Sequence, residues 1–233
     1  MFSNIKHIFF DLDNTLWDFE ANSTQVLTAL IAEFELEKKC QCSAKSFIKT
    51  YILVNDDLWS LYRKQLITKE ELRSSRFTNT MLYFGYENKL LGMELEAEYI
   101  ARSPYQKELV PHSLETLEYL AAKNYQLHII TNGFKEVQGI KLKNSNIQHY
   151  FHQVIISEEV GFTKPNKAIF FHALKAANAS IENSLMIGDD WDADILGAHA
   201  INMLSIYFNR KNTTVTNHLV SEIKSLDELK KML

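Results

Sequence analysis

The sequence predicts a three-layer α/β fold, a parallel sheet covered by helices on both faces and interrupted by an all-helical insert. Two observations carry this. From Leu109 onward strand and helix patterns alternate to the C-terminus, and the first strand pattern, Ile5–Phe10, is cut off from them by residues 17–108, where helical patterns dominate and convincing strands are few. Alternation of this kind lays crossover helices on both faces of a sheet whose strands run parallel.

In chain order, "IKHIFFDLDNTLWDF" opens with an apolar, β-branched run from Ile5 to Phe10 that reads as a buried strand. It delivers two carboxylates, Asp11 and Asp13, at its end. In the helical stretch, "TKEE" at 68–71 is a capping box and Gly85 a stop. "SLETLEYLAAKN" reads as a helix with Ser113 as its cap and Leu114, Leu117, Tyr119, Leu120 and Ala121 as its buried stripe. "YQLHIIT" and "HQVIIS" follow as strands. "NKAIFFHALKAAN" is a helix capped by Asn166, with Ile169, Phe170, Ala173, Leu174 and Ala177 at helical spacing. Strand "SLMIG", helix "DADILGAHA", strand "MLSIYF" and a final helix opened by the S-x-x-E box of "SLDELKKML" complete the pattern. The expected division is a core of residues 1–16 and 109–233 with a helical cap of residues 17–108.

Composition narrows the function classes. The chain has 233 residues, 46% apolar, enough for one good core and a smaller satellite. A formal charge of -4 and the lack of a Lys/Arg block argue against a nucleic-acid polymer as partner. No window approaches the ~18 apolar residues of a spanning helix, and acids interrupt the N-terminal apolar run too early for a signal peptide. A soluble, cytoplasmic chain is expected, with no membrane partner, as a monomer or weak dimer. Cys40 and Cys42 lack zinc spacing and read as reduced thiols near a helix end. His149 and His152 have a spacing that would place both rings on one helical face, but with no acidic or thiol partner nearby in sequence they read as structural or surface residues.

Four segments fall at or just beyond the carboxyl ends of expected strands: "DLDNT" (11–15), "TNG" (131–133), "KP" (164–165) and "GDDWDAD" (188–194). Each alone has an ordinary explanation as a turn, a solvated lysine or a helix start suited to the dipole. Together, and in this order, they mark one site, because ligands bind outside the carboxyl ends of parallel strands. Acids gathered there need a counter-charge, and a magnesium ion accepts carboxylates, a carbonyl and a substrate phosphate.

These four segments resemble the four motifs of the haloacid dehalogenase superfamily, with the insert where that superfamily's type 1 helical caps lie, so a HAD-like Rossmannoid core is implied. "DLDNTLWDF" and "VPHSLETLEYLAAKNYQLHIITNG" are further similar to the subfamily of pyrimidine-type nucleoside monophosphate 5'-nucleotidases. The resemblance implies Asp11 as nucleophile forming an aspartyl-phosphate, and Asp13 as general acid and base. It implies Thr131, Asn132 and Gly133 as phosphate binders, and Lys164 as the counter-charge. Magnesium would be held by Asp11, the carbonyl of Asp13 and Asp189, with Asp194 behind them orienting a metal-bound water. Asp190 and Asp192 could stand behind the metal ligands or serve simply as helix-start residues, the second reading being favoured.

The superfamily's dehalogenases use the same nucleophile without a metal and lack the second acid of Asp-x-Asp, so Asp13 argues for phosphate chemistry. A mutase would carry both acids too. A non-catalytic binding module on the same fold is the reading from another class, opposed by the full set of Asp11, Asp13, Thr131, Lys164 and Asp189. The expected activity is hydrolysis of a small phosphate ester, with nucleoside 5'-monophosphates favoured over phosphoglycolate or a sugar phosphate. In the insert, Trp59, Tyr62 and Arg63 fall within about one helical turn, where a base could stack, although aromatic pairs at this spacing more often serve the insert's own core.

Overall fold

The computed structural model describes residues 2–214 and 220–233. The chain divides into two compact units, Met1–Phe19 with Lys107–Leu233, and Glu20–Gln106.

The first unit is built on six parallel strands: β1 His7–Phe10, β2 Gln126–Thr131, β3 Phe151–Ile156, β4 Ser184–Gly188, β5 Leu204–Phe208 and β6 Ser221–Ile223, ordered β3-β2-β1-β4-β5-β6. Alternation along the strands sends side chains into two buried clusters, one per face. Ile8, Phe10, Leu127, Ile129, Leu185 and Ile187 pack with Leu117, Leu120, Leu142 and Leu229. Phe9, Ile130 and Met186 pack on the opposite side with Ile169, Phe170, Leu174 and Ala198. These partners come from the helices α6 Ser113–Ala122, α7 Lys135–Asn144 and α11 Leu229–Met232 on the first face, and α9 Lys167–Ala176 and α10 Gly197–His199 on the second; α8 Ser157–Val160 follows β3 directly. The sheet is thus covered twice, as the strand–helix alternation predicts.

Local details differ from expectation in instructive ways. His112, in the left-handed region at φ 68, holds the N-cap position of α6 without a side-chain capping bond, while Ser113 is the first helical residue and donates its hydroxyl to the carbonyl of Leu16 at 3.1 Å. That phase makes Ser113, Thr116, Leu117 and Leu120 the buried stripe and leaves Leu114 41% exposed. The expected cap at Asn166 is present, accepting from the Ala168 amide at 2.9 Å. His149 lies in a 3-10 turn and His152 in β3, so the two share no helical face.

The second unit contains α1 Phe19–Glu33, α2 Leu36–Lys39, α3 Ala44–Arg63, α4 Lys69–Tyr83 and α5 Lys89–Arg102, the first residue of α1 belonging to the first unit. Ser43 caps α3, the Thr68–Glu71 box opens α4, and Asn88 caps α5. Their apolar faces meet in a cluster that includes Leu27, Leu30, Phe47, Tyr51, Phe77 and Leu95. A buried Arg76–Glu96 ion pair lies within the unit. Gly92 permits close packing of α5 on α4, since a Cβ there would overlap the Thr78 methyl. Both cysteines are free, and burial pushes the Cys40 thiol up to about 11, which leaves it unreactive. Among the described residues no helix is long and apolar enough to cross a membrane.

Candidate active site

Strand order reverses around β1, whose neighbours are β2 and β4, and that reversal opens a ligand crevice at the carboxyl ends of parallel strands. The chain leaves β1 at Asp11, whose amide donates to the carbonyl of Ile187 at 2.9 Å and whose side chain is buried. A tight turn follows, with the amides of Leu16 and Trp17 both donating to the carbonyl of Leu12 and Asn14 at φ 64. Asparagine tolerates that left-handed conformation better than most residues. The turn returns Thr15 toward β4, where its hydroxyl donates to Asp189 Oδ1 at 3.2 Å.

Lys164 is buried, and its ammonium is met on three sides. Nζ lies 2.6 Å from Asp11 Oδ1 and 2.6 Å from Asp194 Oδ1, and donates to the carbonyl of Ile130 at 2.7 Å. The contacts to Asp11 and Ile130 are hydrogen bonds and the contact to Asp194 is an ion pair. Burial opposes its charge, but Asp11 and Asp194 outweigh that and hold its pKa above the ordinary lysine range. The loop carrying it is strapped to β2 by Asn132, which accepts from the Lys164 amide at 2.8 Å and donates to the Lys164 carbonyl at 3.0 Å. Asn132 therefore spends its side chain on positioning Lys164.

The acids after β4 ride on a π-helical turn, Trp191–Leu196, an irregularity found often at functional sites. Asp190 caps it by accepting from the amides of Asp192 and Ala193 at 3.0 and 2.9 Å, while Asp192 is exposed. Asp194 folds back beneath Asp190 and accepts its amide at 3.1 Å. Gly188 makes room for this, because a Cβ at that position would overlap the Asp194 carboxylate.

The carboxylates of Asp11, Asp189 and Asp194 converge, with one oxygen of each within 4.8 Å of the others. Burial raises the pKa of all three, and nearby carboxylates raise it further, Asp194 and Asp13 at Asp11, Asp11 and Asp194 at Asp189, and Asp190 at Asp194; Asp11 is pushed up to about 7 despite the pull of Lys164. Three acids facing one ammonium leave an excess of negative charge. Oxygen donors of this kind in that spacing suit a hard divalent cation.

Thr131, the last residue of β2, accepts through Oγ1 from the Gly133 amide at 3.0 Å and from Gln138 Nε2 at 2.8 Å. With two bonds accepted, its hydroxyl hydrogen remains to be donated elsewhere. The Gly133 amide is turned inward by that bond. Asp13 stands apart from the convergent carboxylates: Oδ1 accepts from Lys141 Nζ at 2.6 Å and Oδ2 from Gln138 Nε2 at 2.8 Å. Gln138 and Lys141 carry no motif, and sequence reasoning misses them. Their one signal is a spacing of three on an otherwise polar helix, which by itself is weak.

Trp59, Tyr62 and Arg63 lie in α3 of the helical unit. The two rings meet edge to face at 5.6 Å. All three residues are partly buried, and none belongs to that unit's buried apolar cluster.

Comparison with known proteins bears on this geometry. Residues 5–202 match the family model described as haloacid dehalogenase-like hydrolase. The chain is 32% identical over 230 residues to the pyrimidine 5'-nucleotidase YjjG of Escherichia coli, covering 97% of this chain and 96% of that one. It is 30% identical over 243 residues to the glyceraldehyde 3-phosphate phosphatase of Methanothermobacter thermautotrophicus, covering 98% and 100%. Among solved structures, it is similar to YfnB of Bacillus subtilis, named as a HAD-hydrolase and crystallised bound to magnesium, with a TM-score of 0.86, 26% identity and 98% of each chain covered.

Proposed function

The chain belongs to the haloacid dehalogenase-like hydrolases, and from that premise we propose that it is a magnesium-dependent phosphatase of small phosphate monoesters, with nucleoside 5'-monophosphates as its substrate class. The observation that carries the reading is the pair of acids at the end of β1, which the fold puts to different uses. Asp11 is buried against Lys164 in the acidic cluster, and Asp13, two residues on, has both oxygens held by neutral and cationic donors.

In the proposed reaction an oxygen of Asp11 attacks phosphorus in line, giving an aspartyl-phosphate, while Asp13 protonates the departing alkoxide. Asp13 then takes a proton from the water that hydrolyses this intermediate. The Thr131 hydroxyl donates to a phosphoryl oxygen, with the main chain of Asn132 and Gly133 alongside it. Lys164 offsets the charge of Asp11 and the bound phosphoryl group. Magnesium, held by Asp11, Asp189 and the main-chain carbonyl of Asp13 with Asp194 behind, would supply further neutralisation of phosphoryl charge.

The substrate class is supported by the similarity to YjjG, and Trp59, Tyr62 and Arg63 are the residues we propose as its contacts. A small sugar or triose phosphate is the second reading, favoured by the similarity to a glyceraldehyde 3-phosphate phosphatase.

Initial rates of phosphate release with magnesium, below saturation, should be compared for nucleoside 5'-monophosphates, ribose 5-phosphate, glyceraldehyde 3-phosphate and phosphoglycolate. Base stacking contributes about 1 to 3 kcal/mol, so nucleotides should exceed ribose 5-phosphate in kcat/KM by about tenfold to a hundredfold. Trp59→Ala should lower the nucleotide value and spare ribose 5-phosphate. A sugar phosphate or phosphoglycolate that outruns every nucleotide would overturn the substrate assignment.

A further inference from the structure

On α7, Lys135, Glu136, Gly139, Lys143 and Asn144 face solvent, as expected of a polar helix. Gln138 and Lys141 do not: they are 0% and 6% exposed. Burying an amide and an ammonium is costly unless each gains a partner. Lys141 reaches Asp13 Oδ1 at 2.6 Å and lies over the Trp17 ring, 4.4 Å from its centroid. Gln138 Nε2 bridges Asp13 Oδ2 and Thr131 Oγ1, both at 2.8 Å. Its carbonyl oxygen is buried with no partner, so the amide is placed for what its nitrogen holds. Gly133 also serves this placement, since a Cβ there would overlap the Gln138 amide. One helix thus supplies one donor to each oxygen of Asp13, from two residues on a shared face.

We propose that Gln138 and Lys141 are positioning residues that fix the Asp13 carboxylate in the orientation needed for the hydrolytic half of the reaction. This rests on the phosphatase reading given above. In that half, the water oxygen forms a bond to phosphorus and the bond from phosphorus to the Asp11 oxygen breaks. Its electron pair returns to the Asp11 carboxylate, one water proton passes to Asp13, and inorganic phosphate leaves. A base displaced by about 1 Å loses up to about a hundredfold in such a step. The first half is less demanding with an aryl phosphate, because a nitrophenolate departs without needing a proton.

The test is pre-steady-state kinetics on p-nitrophenyl phosphate with magnesium, using the full chain as wild type, Lys141→Met, Gln138→Met, Lys141→Arg and Asp13→Asn, each checked by a melting curve. For Lys141→Met and Gln138→Met, kcat should fall about tenfold or more while kcat/KM stays within about threefold, since kcat/KM reports only the steps through enzyme phosphorylation. A burst of one nitrophenolate per enzyme should precede the slow phase. Lys141→Arg, which keeps the charge and a donor, should suppress the burst and restore kcat to within about threefold of wild type. Asp13→Asn should show the same burst with a deeper loss. If kcat and kcat/KM fall together without a burst in both methionine variants while Asp13→Asn shows one, the positioning role is wrong and the phosphatase mechanism stands. A missing burst in Asp13→Asn would overturn the role given to Asp13 and this inference with it.

Discussion

At the scale of single residues, Asp11 is costly to the fold and essential to the proposed chemistry. Its carboxylate is buried, faces Asp189 and Asp194, and is pushed up to about 7. Asp11→Asn keeps the shape, removes one of three repelling charges and leaves Lys164 paired with Asp194 at 2.6 Å. The variant should therefore melt within a few degrees of wild type without metal, yet lose about a thousandfold or more in phosphate release, because an amide cannot form an acyl phosphate. Activity within tenfold of wild type in a folded variant would reject the assignment. Residues such as Asp11, Asp13 and Asp189 are legible in sequence because carboxylates at the end of an apolar strand are conspicuous. Gln138 and Lys141 are not, because burial of a polar side chain in mid-helix is decided by what packs on it. In sequence Gly133 and Gly188 are only parts of motifs, whereas the structure shows the steric reason for each, the space taken by Gln138 and Asp194.

Elements were legible where apolar period and end signals agreed. Strand β4 was expected at its observed bounds, and the boxes at Thr68 and Ser225 sit where the sequence places them. Strand β6, only Ser-Glu-Ile, was missed because three residues with one buried side chain carry no period. Nor did the sequence reveal that three strands align their histidines. His7 on β1, His128 on β2 and His152 on β3 form a row, with ring centroids 5.4 Å apart for the first pair and 5.9 Å for the second, and with His7 Nδ1 3.2 Å from His128 Nε2. Burial first, then His7 and His152, lower the His128 pKa to about 3. The folded state therefore leaves His128 neutral while the unfolded chain takes up a proton below about pH 6.5. Its contribution to stability is level above that pH and is lost as pH falls toward 3. Full linkage would reach about 2 kcal/mol at pH 5, and solvent screening around the flanking rings reduces it to about 1 kcal/mol. His128→Phe, stacked on Phe9 as His128 is now, should lose less stability than wild type between pH 7 and pH 5 in urea titrations. Parallel losses in the two proteins would show that His128 is not the group responsible.

For the whole molecule, the two compact units make ion binding and stability separable by region. Asp11, Asp13, Asp189 and Asp194 all belong to Met1–Phe19 with Lys107–Leu233, and the buried apolar cluster of Glu20–Gln106 draws on none of that segment's residues. A cation held by these acids stabilises only states in which the first unit is folded. At a hundredfold excess over its Kd the effect is about 2.7 kcal/mol, or roughly 5 to 10 °C in melting temperature for a chain of this size. Hydrogen exchange with and without magnesium should locate it. Amides of β1, β2 and β4 should slow by up to about a hundredfold, whereas amides of α3, α4 and α5 that exchange through opening of their own unit should be unchanged, since that opening does not release the ion. Equal slowing in both units would mean that they open as one cooperative body, and no slowing in either would remove the magnesium site from the proposal.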